Sequence, residues 1–342
     1  MIEITQRKEF LAITETLGEY LDTFGRRFAL PATYDDLRGF NQSYPLYDRS
    51  GTPTHWGTVM YERGFQAELW PKLTSIYSLL KTGDLHAVPH LQVERVDFCE
   101  FGNSKPFRIR VVNQYNDNYD HFYMKVADAS RIYGLELEHL LSPNRITYLA
   151  HRGTLVEEHI AGVPGDAFIR DYFGREDLNK VRVAKEFVKF SERCFVRLLG
   201  DMRSYNYVVD MTPDFEEVQY RVRAIDFDQQ SYEGRKNVYL PQFFKENQPV
   251  VQMCGAVLNF PTMSQYQDEE RSLIARRFLS EQTRLDALFK AMKSNPAEPR
   301  EKVASLKHEL GEYHKTNAFA RCVSMGDVVE THIHASLAKH LV

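Results

Sequence analysis

Residues 199–210 read Leu-Gly-Asp-Met-Arg-Ser-Tyr-Asn-Tyr-Val-Val-Asp. Before them, Val181, Ala184, Phe187, Val188, Ser191, Cys194, Phe195 and Leu198 recur at helical spacing, which predicts a long helix with one buried face. After them, Tyr207-Val208-Val209 begins a strand pattern. Between helix and strand, Asp201 and Asn206 stand five residues apart. In such a loop the aspartate can orient a hydroxyl while the asparagine oxygen ligates a metal. The same pair can also cap local backbone in an ordinary turn. Further on, 205–211 and 220–227 predict a hairpin connected through 212–219, and Asp226 ends its second strand, where a carboxylate can reach a metal.

Upstream, 91–101, 107–115 and 121–127 read as three short strands separated by Gly, Asn, Pro and Asp. A helix is expected over 130–141, then strands over 145–150 and 154–160. That order predicts a small antiparallel sheet with a single helix packed on it. Lys125 lies in the third strand, where a lysine ordinarily points to solvent. At about 100° per residue, Glu136 falls on the apolar arc of Ile132, Tyr133, Leu137 and Leu140, whereas Glu138 points away. A carboxylate on a buried face needs a cationic partner, and Lys125 is the candidate. Residues 1–90 read as mainly helical, with a turn-rich stretch around Pro45, Gly51, Pro53 and Gly57. Beyond Asn247 the chain is expected to be helical, interrupted at 294–301.

Phosphoryl transfer needs oxygen ligands for Mg²⁺, a cation for the phosphate oxygens and a carboxylate to orient the acceptor hydroxyl. Lys125, Glu136, Asp201 with Asn206, and Ala224-Ile225-Asp226-Phe227-Asp228 offer these groups in order. In this the chain resembles the protein-kinase-like superfamily over residues 91–245, closer to its aminoglycoside and choline phosphotransferase branch.

The resemblance implies an α+β, bilobal protein-kinase-like fold: a small antiparallel N-lobe over 91–160, a helical C-lobe over 161–342 and a helical N-terminal extension over 1–90. It implies ATP and Mg²⁺ as cofactors. Lys125 would contact the α- and β-phosphates with Glu136 as its partner, Asp201 would be the catalytic aspartate, and Asn206 and Asp226 would hold the metal. Gly102, Asn103 and Ser104 fall where the phosphate-covering loop belongs, and backbone groups of Glu157, Glu158, His159 and Ile160 where the adenine edge is held. Gly200 before Asp201, and Asp228 in place of the glycine of Asp-Phe-Gly, match the small-molecule branch. Leu199 replaces the usual catalytic-loop histidine, and the phosphate loop carries one glycine.

The expected activity is transfer of the ATP γ-phosphoryl to a hydroxyl of a small molecule or protein. Its rivals are a kinase-like regulatory module that binds nucleotide weakly, and transfer of AMP at the same site.

The net charge of −4 argues against a chain built to grip nucleic acid. Cys99, Cys194, Cys254 and Cys322 form no Cys-x-x-Cys pair, so free thiols in a cytoplasmic protein are expected. No apolar run is long enough to span a membrane. His332, His334 and His340 read as surface residues of a helical tail, and 267–277 and 298–315 as solvated helix faces. Arg235-Lys236 reads as a solvated loop.

Overall fold

The computed structural model describes residues 8–48, 51–85, 88–100, 104–215, 217–295 and 299–341. The chain is α+β. Its first elements are α1 (Glu15–Thr23), α2 (Tyr34–Leu37), β1 (Gln42–Tyr47), β2 (Pro53–Met60), α3 (Arg63–Thr82), β3 (Leu91–Cys99), β4 (Phe107–Asn113) and β5 (Tyr119–Val126). There follow α4 (Ala129–Leu141), β6 (Tyr148–His151), β7 (Thr154–Glu158), β8 (Val163–Pro164), α5 (Gly165–Tyr172), α6 (Lys180–Arg197), β9 (Tyr207–Asp214) and β10 (Glu217–Ala224). The last are α7 (Gln248–Val257), α8 (Phe260–Ser280), α9 (Gln282–Lys293), α10 (Arg300–His314) and α11 (Met325–Leu337). The residues divide into two units, one of Gly18–Ala129 and Ile146–His159, the other of Met1–Leu17, Ser130–Arg145 and Ile160–Val342.

The first unit holds a seven-stranded antiparallel sheet in the order β1-β2-β3-β4-β5-β7-β6. The strands expected after residue 91 all form, but residues 42–60 correct the expectation of a helical extension, because they add β1 and β2 to the sheet. Both strands are largely exposed, so they lack the period-two apolar signal of a half-buried strand. Their prolines are compatible with pairing: Pro45 lies on the edge strand and Pro53 starts its strand. Within this unit the helix packed on the sheet is α3. Its Leu69, Leu73, Ile76 and Leu80 share a core with Val93, Val96, Phe107, Ile109, Val111, Phe122, Met124 and Val156. Burying each such side chain stabilises the unit by about 1.5–3 kcal/mol.

The second unit is mainly helical, with a small antiparallel sheet in the order β10-β9-β8. The face read for α6 is the buried one, and the Asn179 side chain caps the helix by accepting from the Arg182 amide. The β9–β10 hairpin forms where expected, with strands that run on to Asp214 and from Glu217. α4 is buried nearly all round. Glu138, expected to point to solvent, is therefore buried and receives a hydrogen bond from Arg197. The helical C-terminal stretch is also interrupted at Leu258 and Asn259, at Glu281, and after α10, where Lys315 takes a left-handed backbone before a 3₁₀ turn at Ala318–Arg321.

Two further expectations change where helices pack against helices, because buried charges and buried polar rings must both find partners there. Glu270 and Arg271, read as part of a solvated face, pair with Arg193 and Glu192. His332 is fully buried, with Nε2 on the Phe195 carbonyl at 2.9 Å and Nδ1 3.0 Å from His314 Nε2. Arg235 is exposed, as read, while Lys236 is half-buried, begins a 3₁₀ turn and donates its backbone N–H to Glu309. All four cysteines are free and buried. Among the described residues no helix is long and apolar enough to cross a membrane.

Candidate functional site

In the helical unit, α6 ends at Leu198, whose left-handed backbone turns the chain sharply (φ 53°). The following loop is stitched down on both sides. Leu199 forms a bridge with Gln230, the Gly200 N–H donates to Gln229 O at 3.1 Å and the Asp201 N–H to Val238 O at 3.2 Å. A Cβ at position 200 would stand 3.0 Å from Gln229 O, which accounts for glycine there. Asp201 itself has φ 55°, a region that aspartate tolerates better than most residues. Such backbone is often found where structure holds a functional group against its local preference.

The Asp201–Asn206 pair is one hydrogen-bonded unit. Asn206 Nδ2 donates to the Asp201 carbonyl at 2.7 Å, and the Asn206 carbonyl accepts from Ile225 N–H at 3.0 Å. The second bond ties the loop to the segment that carries Asp226. With Nδ2 committed, Oδ1 is the end of Asn206 suited to accept a hard cation. Asp201 Oδ1 accepts from Arg203 Nε at 2.7 Å, and Arg203 Nη1 reaches Glu246 at 2.9 Å. Burial raises the Asp201 carboxyl to about 6; Arg203 opposes the rise, while Asp226 and Glu246 add to it. Arg203 rises further above its ordinary range, because Asp201 outweighs the cost of its burial.

Asp226 follows the end of β10 and shares a cation with Asp228. Arg131 Nη1 lies 2.7 Å from Asp226 Oδ1 and 2.8 Å from Asp228 Oδ1. The Asp228 N–H also donates to Asp226 Oδ1, at 3.1 Å, closing an Asx turn. Arg131 is 1% exposed and comes from the first turn of α4. Gly134, one turn on, lets that helix approach closely: a Cβ there would lie 3.0 Å from Phe227 Cβ. Ser130 adds hydrogen bonds to the Asp228 and Gln230 carbonyls.

In the sheet unit, Lys125 is 7% exposed and Nζ donates to Glu157 Oε2 at 2.8 Å. The pairing is diagonal across β5 and β7, because Tyr123 stands opposite Glu157 and Lys125 opposite Leu155. Glu136, in the helical unit, is fully buried and accepts from Arg284 Nε and Nη2 at 3.1 and 2.7 Å. Glu157 and Arg284 are thus the partners that sequence reading did not supply. Glu158 Oε1 accepts from the Thr147 N–H, and His159 Nδ1 lies 3.2 Å from the Tyr123 hydroxyl. Ile160 is buried and Ser104 half-buried. Gly102 and Asn103 lie outside the described residues. A groove of about 650 Å³ beside α3, lined by Arg63, Trp70, Pro71, Thr74, Val88 and Leu91 among others, includes none of the candidate residues.

Sequence reading also missed Arg131, Arg203 and Glu246. Arg203 could have been noticed, because it lies within the 201–206 loop. Arg131 gave no signal, since its partners are 95 and 97 residues away.

Among the described residues, no group of three or more His, Cys, Asp or Glu side chains is arranged to hold a metal ion. Mg²⁺ asks for less: one or two protein carboxylates, with water and phosphate oxygens completing the octahedron. Asn206 with its anchored amide, and Asp226 with a side chain 35% exposed, provide oxygen donors of that kind. No family model matches the chain, and none of the curated proteins compared with it matches either.

Proposed function

We propose that the chain is a phosphotransferase of the protein-kinase-like class, moving the γ-phosphoryl of ATP to a hydroxyl with Mg²⁺. The observation that carries this reading is the hydrogen-bonded assembly of Asp201, Asn206 and the segment leading to Asp226. Left-handed backbone by itself is ordinary for an aspartate in a turn; what supports the functional reading is a carboxyl of raised proton affinity tied through Asn206 to the segment that carries Asp226.

In this mechanism Asp201 orients the acceptor hydroxyl and takes its proton, with Arg203 fixing the orientation of the carboxylate. Asn206 and Asp226 hold the metal, which when bound neutralises charge on the phosphate oxygens. Lys125 supplies the cation for the α- and β-phosphates, and Glu157 directs its ammonium group. Most of the rate acceleration comes from positioning and charge neutralisation.

A second reading, a regulatory kinase-like module, has one observation in its favour: Arg131 already balances part of the charge on Asp226 and Asp228. Thermal melts with ATP and Mg²⁺ separate the two. The phosphotransferase is expected to be stabilised by the pair and to release label from γ-labelled ATP. No stabilisation, and an Asp226→Ala variant indistinguishable from the unaltered chain, would remove the basis of the enzyme reading. Release of label as AMP transferred from α-labelled ATP would replace phosphoryl by nucleotidyl transfer.

A further inference from the structure

A permanently charged side chain is buried against Asp226, the carboxylate assigned to the metal, and its neighbour Asp228. Arginine does not lose its proton in proteins, so the Arg131 charge is present at every working pH. It is 1% exposed, with Nη1 on Asp226 Oδ1 and Asp228 Oδ1 at 2.7 and 2.8 Å and Nη2 3.4 Å from the Ile225 carbonyl. A guanidinium in that place is costly unless it is paired, and two carboxylates together provide the pairing. The close approach of α4 at Gly134 and the two hydrogen bonds of Ser130 hold the helix turn that carries it.

We infer that Arg131 is a charge-balancing positioning residue that makes metal binding depend on nucleotide. This rests on the reading of Asp226 as a metal ligand. Arg131 offsets part of the negative charge of Asp226 and Asp228, so an incoming free cation meets a weakened field and a neighbouring positive group. Nucleotide phosphates bring further negative charge, and the metal then binds as part of that complex. Arg131 also fixes Asp226 Oδ1, which already takes a second hydrogen bond from the Asp228 N–H. A purely structural ion pair would give a different result on removal: lower stability, with metal affinity unchanged or reduced.

The test is calorimetric titration with Mn²⁺ as the probe, in the absence and presence of a saturating non-hydrolysable ATP analogue. The unaltered chain is expected to bind Mn²⁺ at least tenfold more weakly without nucleotide than with it. Arg131→Gln is expected to tighten binding of Mn²⁺ alone by tenfold or more, while Arg131→Lys, which keeps the charge, stays near the unaltered value. Unchanged or weaker Mn²⁺ binding by a folded Arg131→Gln variant overturns the inference and leaves the phosphotransferase reading intact. If Arg131→Gln does not fold, the unaltered chain still decides: equal Mn²⁺ affinity with and without the analogue overturns the inference. If the unaltered chain binds neither Mn²⁺ nor the analogue under any condition, the assignment of the site fails and this inference fails with it.

Discussion

Asp201 carries the heaviest demands of any single residue in the site. Its backbone is left-handed, its carbonyl holds Asn206, and its carboxyl is raised to about 6 by burial, against the opposing effect of Arg203. In the proposed mechanism the acceptor proton goes to the ionised form, so turnover is expected to fall on the acid side as pH drops through about 6. A rate profile that is flat from pH 7 to 5 would remove Asp201 from that role. Asp201→Asn is expected to reduce turnover by roughly 10²–10⁴-fold, the usual scale of general-base catalysis, while ATP still stabilises the chain in thermal melts. Turnover close to that of the unaltered chain would rule the assignment out.

Three elements govern how the charged groups are presented. On β5 and β7, Lys125 and Glu157 form a buried pair, so removing Lys125 takes a counter-charge at 2.8 Å away from a buried carboxylate. Lys125→Met is expected to lower stability by about 3–5 kcal/mol, measured by denaturant melts, and Lys125→Met with Glu157→Leu to recover most of that loss. A double variant as unstable as the single one would show that the cost is not the lost counter-charge of Glu157. α4 depends on a small residue where it meets the segment after β10, because a Cβ at Gly134 would lie 3.0 Å from Phe227 Cβ and 3.1 Å from Gln230 Cβ. A larger side chain must displace that segment. Gly134→Leu is therefore expected to cost about 1–3 kcal/mol through overpacking and to weaken the Arg131–Asp226 pairing. Unchanged stability would mean the helix can shift without loss.

At the scale of the molecule, charge is buried in pairs throughout the helical unit, and its response to acid follows from two histidines. Because His332 Nε2 faces the Phe195 carbonyl, it must donate there, leaving Nδ1 to accept from His314 Nε2–H. Burial, with His314 and Arg271 nearby, lowers His332 to about 3, against an opposing carbonyl bond. Burial, Arg271 and Lys236 lower His314 to about 4. The unfolded chain takes up these protons near pH 6.5 and the folded chain only well below, so their contribution to stability is complete above about 6.5 and is lost as pH falls toward 4. Asp201, raised to about 6 from 3.8, acts in the opposite sense, destabilising at neutral pH and relieved by acid. Glu186 and Glu192, raised by burial, act in the same sense as Asp201, while His121, lowered to about 4 by burial and Arg108, adds to the two histidines; with three large downward histidine shifts the melting temperature is expected to fall between pH 6.5 and 4. A melting temperature that stays level over that range would contradict the neutral buried pair.

The sequence alone determined what depends on local periodicity and local chemistry. The three strands after residue 91, the α6 face, the β9–β10 hairpin and the Asp201-to-Asn206 spacing all lie within one or two elements, where side-chain period and turn residues speak directly. β1 and β2 escaped notice because exposed strands carry no alternating apolar face. What only the tertiary structure decided was the partner of each buried charge. Lys125 reaches Glu157 across 32 residues, Glu136 receives Arg284 across 148, and Arg131 joins Asp226 across 95. A charge can be read from its own position, but its compensation depends on which elements the fold brings beside it.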